Sequence, residues 1–165
     1  MTVKLHFFVA FLTFSTYYLT EVYSLVEFTN VQCESVDKDY TLFPYCYLKS
    51  VNRSYKYVSV KAKLLQLPVA KAKVRLALYK RLNGYKPFLY DMTIDACRFL
   101  KYPKSNPVAL YFFQHDIVLD KMSYHSINNK LTKVLPFPEG NYMFEMHWMA
   151  YDINRAITKF YFSLS

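Results

Sequence analysis

From Tyr57 onward the chain sets apolar and polar residues in alternation, with a period of two. In "YVSVKAKLL" Val58, Val60, Ala62 and Leu64 fall on one side, Ser59, Lys61 and Lys63 on the other. In "KAKVRLALYK" Ala72, Val74, Leu76 and Leu78 oppose Lys71, Lys73 and Arg75. In "KPFLYDMTID" Phe88, Tyr90, Met92 and Ile94 oppose Asp91, Thr93 and Asp95, and in "NYMFEMHWMAYD" Tyr142, Phe144, Met146, Trp148 and Ala150 oppose Glu145 and His147. A period of two is that of a strand with one wet and one dry face. Half-wet strands belong to antiparallel sheets, because parallel sheets are covered on both faces.

Turn-forming residues fall between these runs. Asp37-Lys38-Asp39 separates strands expected at 31–35 and 45–50, and Leu67-Pro68 ends the next. Asn83-Gly84 is a pair that tolerates positive φ. Pro136, Pro138 and Glu139-Gly140-Asn141 precede a strand at 142–151, and Asp152-Ile153-Asn154 is expected to reverse the chain into 156–164. About seven short strands, with turns every 8 to 15 residues, predict an all-β, immunoglobulin-like antiparallel β-sandwich. One stretch departs from the pattern. Asp95 can cap a short helix ended by Pro103, and Asn106-Pro107 can open a second through Gln114, so one or two short helices are expected between residues 95 and 114.

The first residues change the picture. A basic start, an apolar run from Leu5 to Phe14 and a polar region ending in Val22-Tyr23-Ser24 have the layout of a signal peptide, with cleavage expected after Ser24. That leaves a single domain over 25–165 in an extracellular setting. There, Asn52-Arg53-Ser54 is the one N-glycosylation acceptor of the sequence, and Asn52 is expected on the surface. The net charge is +9, and Lys4 and Glu21 cancel in the leader. Inside a cell that balance would point to nucleic acid. Outside it, an anionic membrane surface, glycans or an acidic receptor fit better than nucleic acid. Lys61/Lys63 and Lys71/Lys73/Arg75 are expected to alternate outward. They read either as solvated, edge-protecting faces or as a surface for anionic membrane.

Little in the chain fits catalysis. His115, His125 and His147 stand in no metal-ligand spacing. No G-x-S-x-G elbow occurs, and two glycines cannot build a glycine-rich phosphate loop. No enzymatic activity, cofactor or metal is expected. Binding has more to draw on. The candidate inward positions are Val60, then Val74, Leu76 and Leu78, then Phe88, Tyr90 and Met92, then Phe144, Met146 and Trp148. Methionine is flexible and fills irregular space. Taken alone, the pattern is first that of a filled sandwich core, and an apolar pocket is the lesser reading.

Longer stretches resemble a known family. "EFTNVQCES", "VNRSYKYVSVKAKLLQLPV", "KRLNGYKPFLYDMTIDACRFL", "HDIVLDKMSY" and "LPFPEGNYMFEMHWMAYDINRA" are similar to insect secreted proteins grouped as domain of unknown function 1091 (DUF1091), relatives of the CheB chemosensory proteins. That group resembles in turn the MD-2-related lipid-recognition proteins and the ganglioside GM2 activator, most clearly in "GNYMFEM". The resemblance implies a sandwich whose sheets part to admit an apolar small molecule or lipid, with no chemistry performed. The alternative is an extracellular interaction module with a filled core. The resemblance also implies four cysteines, the fourth in a loop before "HDI". Here Gln114 runs straight into His115 and the chain has three cysteines. Cys33 and Cys46 are then the expected pair. Cys97 is left unpaired, as a buried thiol, a partner for another chain, or the mark of a mis-predicted exon boundary.

Overall fold

The computed structural model describes residues 26–52, 55–67, 69–97, 116–123 and 137–165. Their strands are β1 (Val26–Ser35), β2 (Thr41–Ser50), β3 (Lys56–Leu64), β4 (Ala72–Leu82), β5 (Gly84–Asp95), β6 (Asp116–Ser123), β7 (Gly140–Ala150) and β8 (Ile153–Leu164). They form two antiparallel sheets, one of five strands in the order β1-β8-β7-β4-β5 and one of three in the order β2-β3-β6. The expected leader and most of the expected helical stretch lie outside the described residues. Among the described residues, Ala96 and Cys97 continue β5 into helical backbone.

Register places the apolar phase of each strand on one face of the large sheet. Val74 pairs with Trp148, which pairs with Ala156; Leu76 with Met146 and then Thr158; Leu78 with Phe144 and then Phe160. The small sheet aligns Val58 and Val60 with Leu48 and Cys46 on one side and with Met122 and Leu119 on the other. Phe28, Val31, Val58, Val60 and Phe160 make a first buried cluster, drawn from both sheets. Val26, Leu78, Tyr142 and Leu164 make a second. Tyr142 is fully buried, stacked on Phe162 at 5.6 Å and tilted against Phe88 and Phe137 at 5.7 and 5.8 Å.

Two strands are longer than the sequence pattern predicts, and bulges are the reason. In β1 the register slips between Phe28 and Asn30. The inward phase therefore passes from Val26 and Phe28 to Val31 and Cys33, and strict alternation begins only at Val31. In β2 it slips between Leu42 and Tyr45, around Pro44. Proline donates no ladder hydrogen bond and is tolerated on an edge strand at a bulge. The β7–β8 turn also differs from expectation. It is the pair Tyr151-Asp152, both at positive φ (54° and 64°), rather than 152–154. Two positive-φ residues match the twist of a two-residue hairpin. Tyr151 is held there because its N–H donates to the Lys71 carbonyl at 3.1 Å, and its hydroxyl accepts from Ala70 N–H at 3.2 Å. Asn83-Gly84 turns the chain as expected, with Gly84 at φ 86°.

The two sheets are joined covalently. Cys33 of β1 and Cys46 of β2 form a disulfide with Cα atoms 6.1 Å apart, tying an edge strand of one sheet to an edge strand of the other. The Ser35 hydroxyl donates to the Thr41 carbonyl beside it.

Candidate functional site

Between the sheets lies a cavity of about 630 Å³. The small sheet contributes Thr41 and Phe43 from β2, Val60, Ala62 and Leu64 from β3, and residues 117–120 of β6. The large sheet contributes Met146 and Trp148 from β7 and Ala156, Thr158 and Phe160 from β8. The hollow follows from the side chains that meet there. Ala62 and Ala156 supply only methyl groups, so the rings of Phe43, Trp148 and Phe160 border a space that no side chain fills. The Trp148 indole N–H donates to the Thr158 hydroxyl at 3.0 Å. That bond satisfies the polar edge of the ring and leaves its apolar surface to the cavity.

Of the ten positions singled out from the sequence, Val60, Met146 and Trp148 line this cavity. Phe144 packs against both buried clusters, Leu78 belongs to the second, and Phe88 leans on that one. Val74 and Leu76 are half-buried on the inner face of β4, in register with Trp148 and Met146 but not lining the void. Tyr90 and Met92 are 37% and 44% exposed on the edge strand β5. The physical reason is lateral offset. Among the described residues, the three-stranded sheet packs against β1, β7 and β8, not against β4 and β5. Alternation says which way a side chain points; it does not say what lies opposite.

The sequence reading missed Thr41, Phe43, the β6 residues, Ala156, Thr158 and Phe160. Ala62 and Leu64 carried the right phase but were left out of the candidate set. β6 reads Ile117-Val118-Leu119, and β8 sets Ile157 and Tyr161 between its inward residues, so both phases are apolar and periodicity loses contrast.

Outside the cavity several charges are paired. Lys71 and Lys73 both reach Asp152, the latter at 2.7 Å, and Arg75 grips Asp91 through two contacts at 2.8 and 2.5 Å. Hydrogen bonds from Lys71 and Lys73 pull the Asp152 carboxyl down to about 2, and the hydrogen bond from Arg75 lowers that of Asp91. At Glu145 burial works upward, but hydrogen bonds from His147 (2.7 Å) and Lys159 (3.0 Å) outweigh it and hold the carboxyl below its ordinary value. Lys71, Lys73 and Arg75 are thus engaged within the fold rather than presented as an unpaired basic face. Asn52 is exposed in the bend after β2. Cys97 is a free, half-buried thiol whose sulfur accepts from Ala72 N–H at 3.3 Å and donates to the Ala70 carbonyl at 3.5 Å.

Residues 74–149 match the model of a family described as Protein of unknown function (DUF1091). The match runs from β4 to β7 and includes Met146 and Trp148 of the cavity wall. It supports membership of the family that the sequence resembles. No curated protein matches the chain.

Proposed function

With the DUF1091 match as premise, we propose that this chain is a secreted, non-enzymatic binding protein that carries a hydrophobic molecule, such as a lipid, a hydrocarbon or a related semiochemical, between its sheets. The observation that carries the reading is the apolar cavity of about 630 Å³, inside the range of roughly 300–1,000 Å³ usual for ligand pockets. Each methylene moved from water into such a space contributes about 0.8 kcal/mol. A dozen carbons supply on the order of 9 kcal/mol before ordering costs. No reaction is required. The likeness to the CheB and lipid-recognition proteins, read from the sequence, supports the same view. The Cys33–Cys46 bridge is compatible with an oxidising, extracellular setting.

The Tyr142 end favours the alternative for its own part of the molecule: interlocked rings fill it as they would an interaction module. Ala62→Phe separates the two readings. The added ring enters the hollow, so the variant is expected to fold with unchanged or higher stability and to lack the rise in unfolding temperature that wild type is expected to show with a neutral long-chain alcohol. A variant that keeps that rise would place the ligand elsewhere.

A further inference from the structure

Two hydroxyls border the hollow with hydrogen-bonding capacity to spare. Thr41 of β2 stands directly opposite Leu64 of β3, and directly opposed residues share a face of their sheet. Both line the cavity. Thr158 of β8 stands opposite Met146 of β7, and these two line it from the facing sheet. Thr41 and Thr158 are each only 3% exposed, so both hydroxyls are shielded from bulk water.

A hydroxyl offers one donor and two lone pairs. The Thr158 oxygen accepts the Trp148 indole N–H at 3.0 Å, and among the described residues its own proton has no acceptor. Thr41 is paired through its main chain: its N–H donates to the Asp37 carbonyl at 2.9 Å, and its carbonyl accepts from the Ser35 hydroxyl. Its side-chain hydroxyl has no partner among the described residues. Buried hydroxyls are ordinarily hydrogen-bonded, because leaving one unpaired in an apolar space is costly. Two unspent O–H donors, one on each wall of an otherwise apolar hollow, point to a ligand oxygen that takes them.

Charge is missing from this set. None of the described lining residues is cationic. The one acid among them, Asp120, accepts through Oδ1 from the Ser59 hydroxyl at 3.2 Å. Ser59 falls between the inward-facing Val58 and Val60, so that pair lies on the opposite face of the small sheet.

Resting on the hydrophobic-ligand reading, we infer that the cavity selects long-chain molecules bearing one uncharged oxygen acceptor, as in a ketone, an ester or an alcohol. The Thr41 hydroxyl receives that oxygen, with Thr158 as a second donor on the facing sheet. A carbonyl oxygen has two lone pairs, enough for both donors. A plain hydrocarbon leaves both donors unmade. A carboxylate would be stripped of water with no cation to meet it.

Trp148 is the chain's only tryptophan and lines the cavity, so its emission reports occupancy. The purified protein and its Thr41→Val and Thr41→Ser variants would be titrated at neutral pH with 2-nonanone, nonane and nonanoate, circular dichroism confirming the fold of each. Thr41→Val keeps the side-chain shape without the hydroxyl. It is expected to weaken 2-nonanone about tenfold while nonane binds as well as before or better. Thr41→Ser, which keeps a hydroxyl, should hold the ketone close to wild-type affinity. Wild type should bind nonanoate about tenfold or more weakly than 2-nonanone, a comparison that needs no variant to fold. Undiminished ketone binding by Thr41→Val, an equal loss for ketone and hydrocarbon, or a wild-type preference for nonanoate overturns the inference and leaves the hydrophobic-ligand reading standing. If none of the three probes alters Trp148 emission or the unfolding temperature of wild type, that reading falls, and the acceptor inference with it.

Discussion

At Tyr142 one side chain carries much of what makes half of this interior solid. Its ring is fully buried among Phe88, Phe137 and Phe162, with the Lys80 ammonium 5.4 Å from its centroid, and its hydroxyl donates to the Pro138 carbonyl. Tyr142→Ala is expected to cost about 3–5 kcal/mol in urea unfolding, because a large ring leaves a hole that the neighbouring rings cannot close. Tyr142→Phe keeps the ring and is expected to lose only about 1 kcal/mol, for the hydrogen bond. The inward direction of Tyr142 was legible in the sequence, as it was for Val60, Met146 and Trp148. What was not legible is that Tyr142 is packed among rings while Trp148, three turns of the pleat further on, borders a hollow that Ala62 lines from the facing sheet. Period two encodes a face, but the difference between packed and hollow depends on side-chain volumes brought together from strands distant in the chain.

Among the elements, β1 and β2 form the closed edge of the sandwich. Their disulfide spans 13 residues of sequence. A loop of that size contributes about 3 kcal/mol on the chain-entropy account, so Cys33→Ala/Cys46→Ala is expected to lose about that much in urea unfolding. The outer face of the large sheet has its own signature. Glu145, Asp91 and Asp152 have carboxyls held below their ordinary values in the folded chain. Groups depressed on folding add stability that is present above the unfolded values of 3.8 to 4.5 and is lost as pH falls through the folded ones, down to about 2 for Asp152. Urea midpoints should therefore fall between about pH 4.5 and 2. The partly buried Glu145 should contribute most per residue, and Glu145→Gln should flatten the profile more than Asp152→Asn, whose solvent-exposed pairs are screened. An undiminished acid dependence in Glu145→Gln would show that the Lys159 and His147 contacts are not maintained in solution. The bulges in β1 and β2 explain why these strands were read short: an inserted residue shifts the phase, and a search for strict alternation stops there.

For the whole molecule, sandwich architecture followed from period two and from turn residues such as Asn83-Gly84, because those signals are local. The relative placement of the sheets is not local. It sets β3 and β6 over β7 and β8 and leaves Tyr90 and Met92 at a solvent-exposed edge, so a candidate site drawn evenly along the inward faces was displaced toward β4 and β5. Among the described residues, the interior is packed with rings around Tyr142 and hollow between β3 and β6 on one side and β7 and β8 on the other. Native mass spectrometry of the purified protein, before and after extraction with organic solvent, tests that hollow most directly. The expected result is an apolar molecule of one bound equivalent, removed by extraction, restored by adding a neutral long-chain alcohol, and absent from Ala62→Phe. A folded wild-type protein that stays at its ligand-free mass under every one of these conditions would contradict the carrier account.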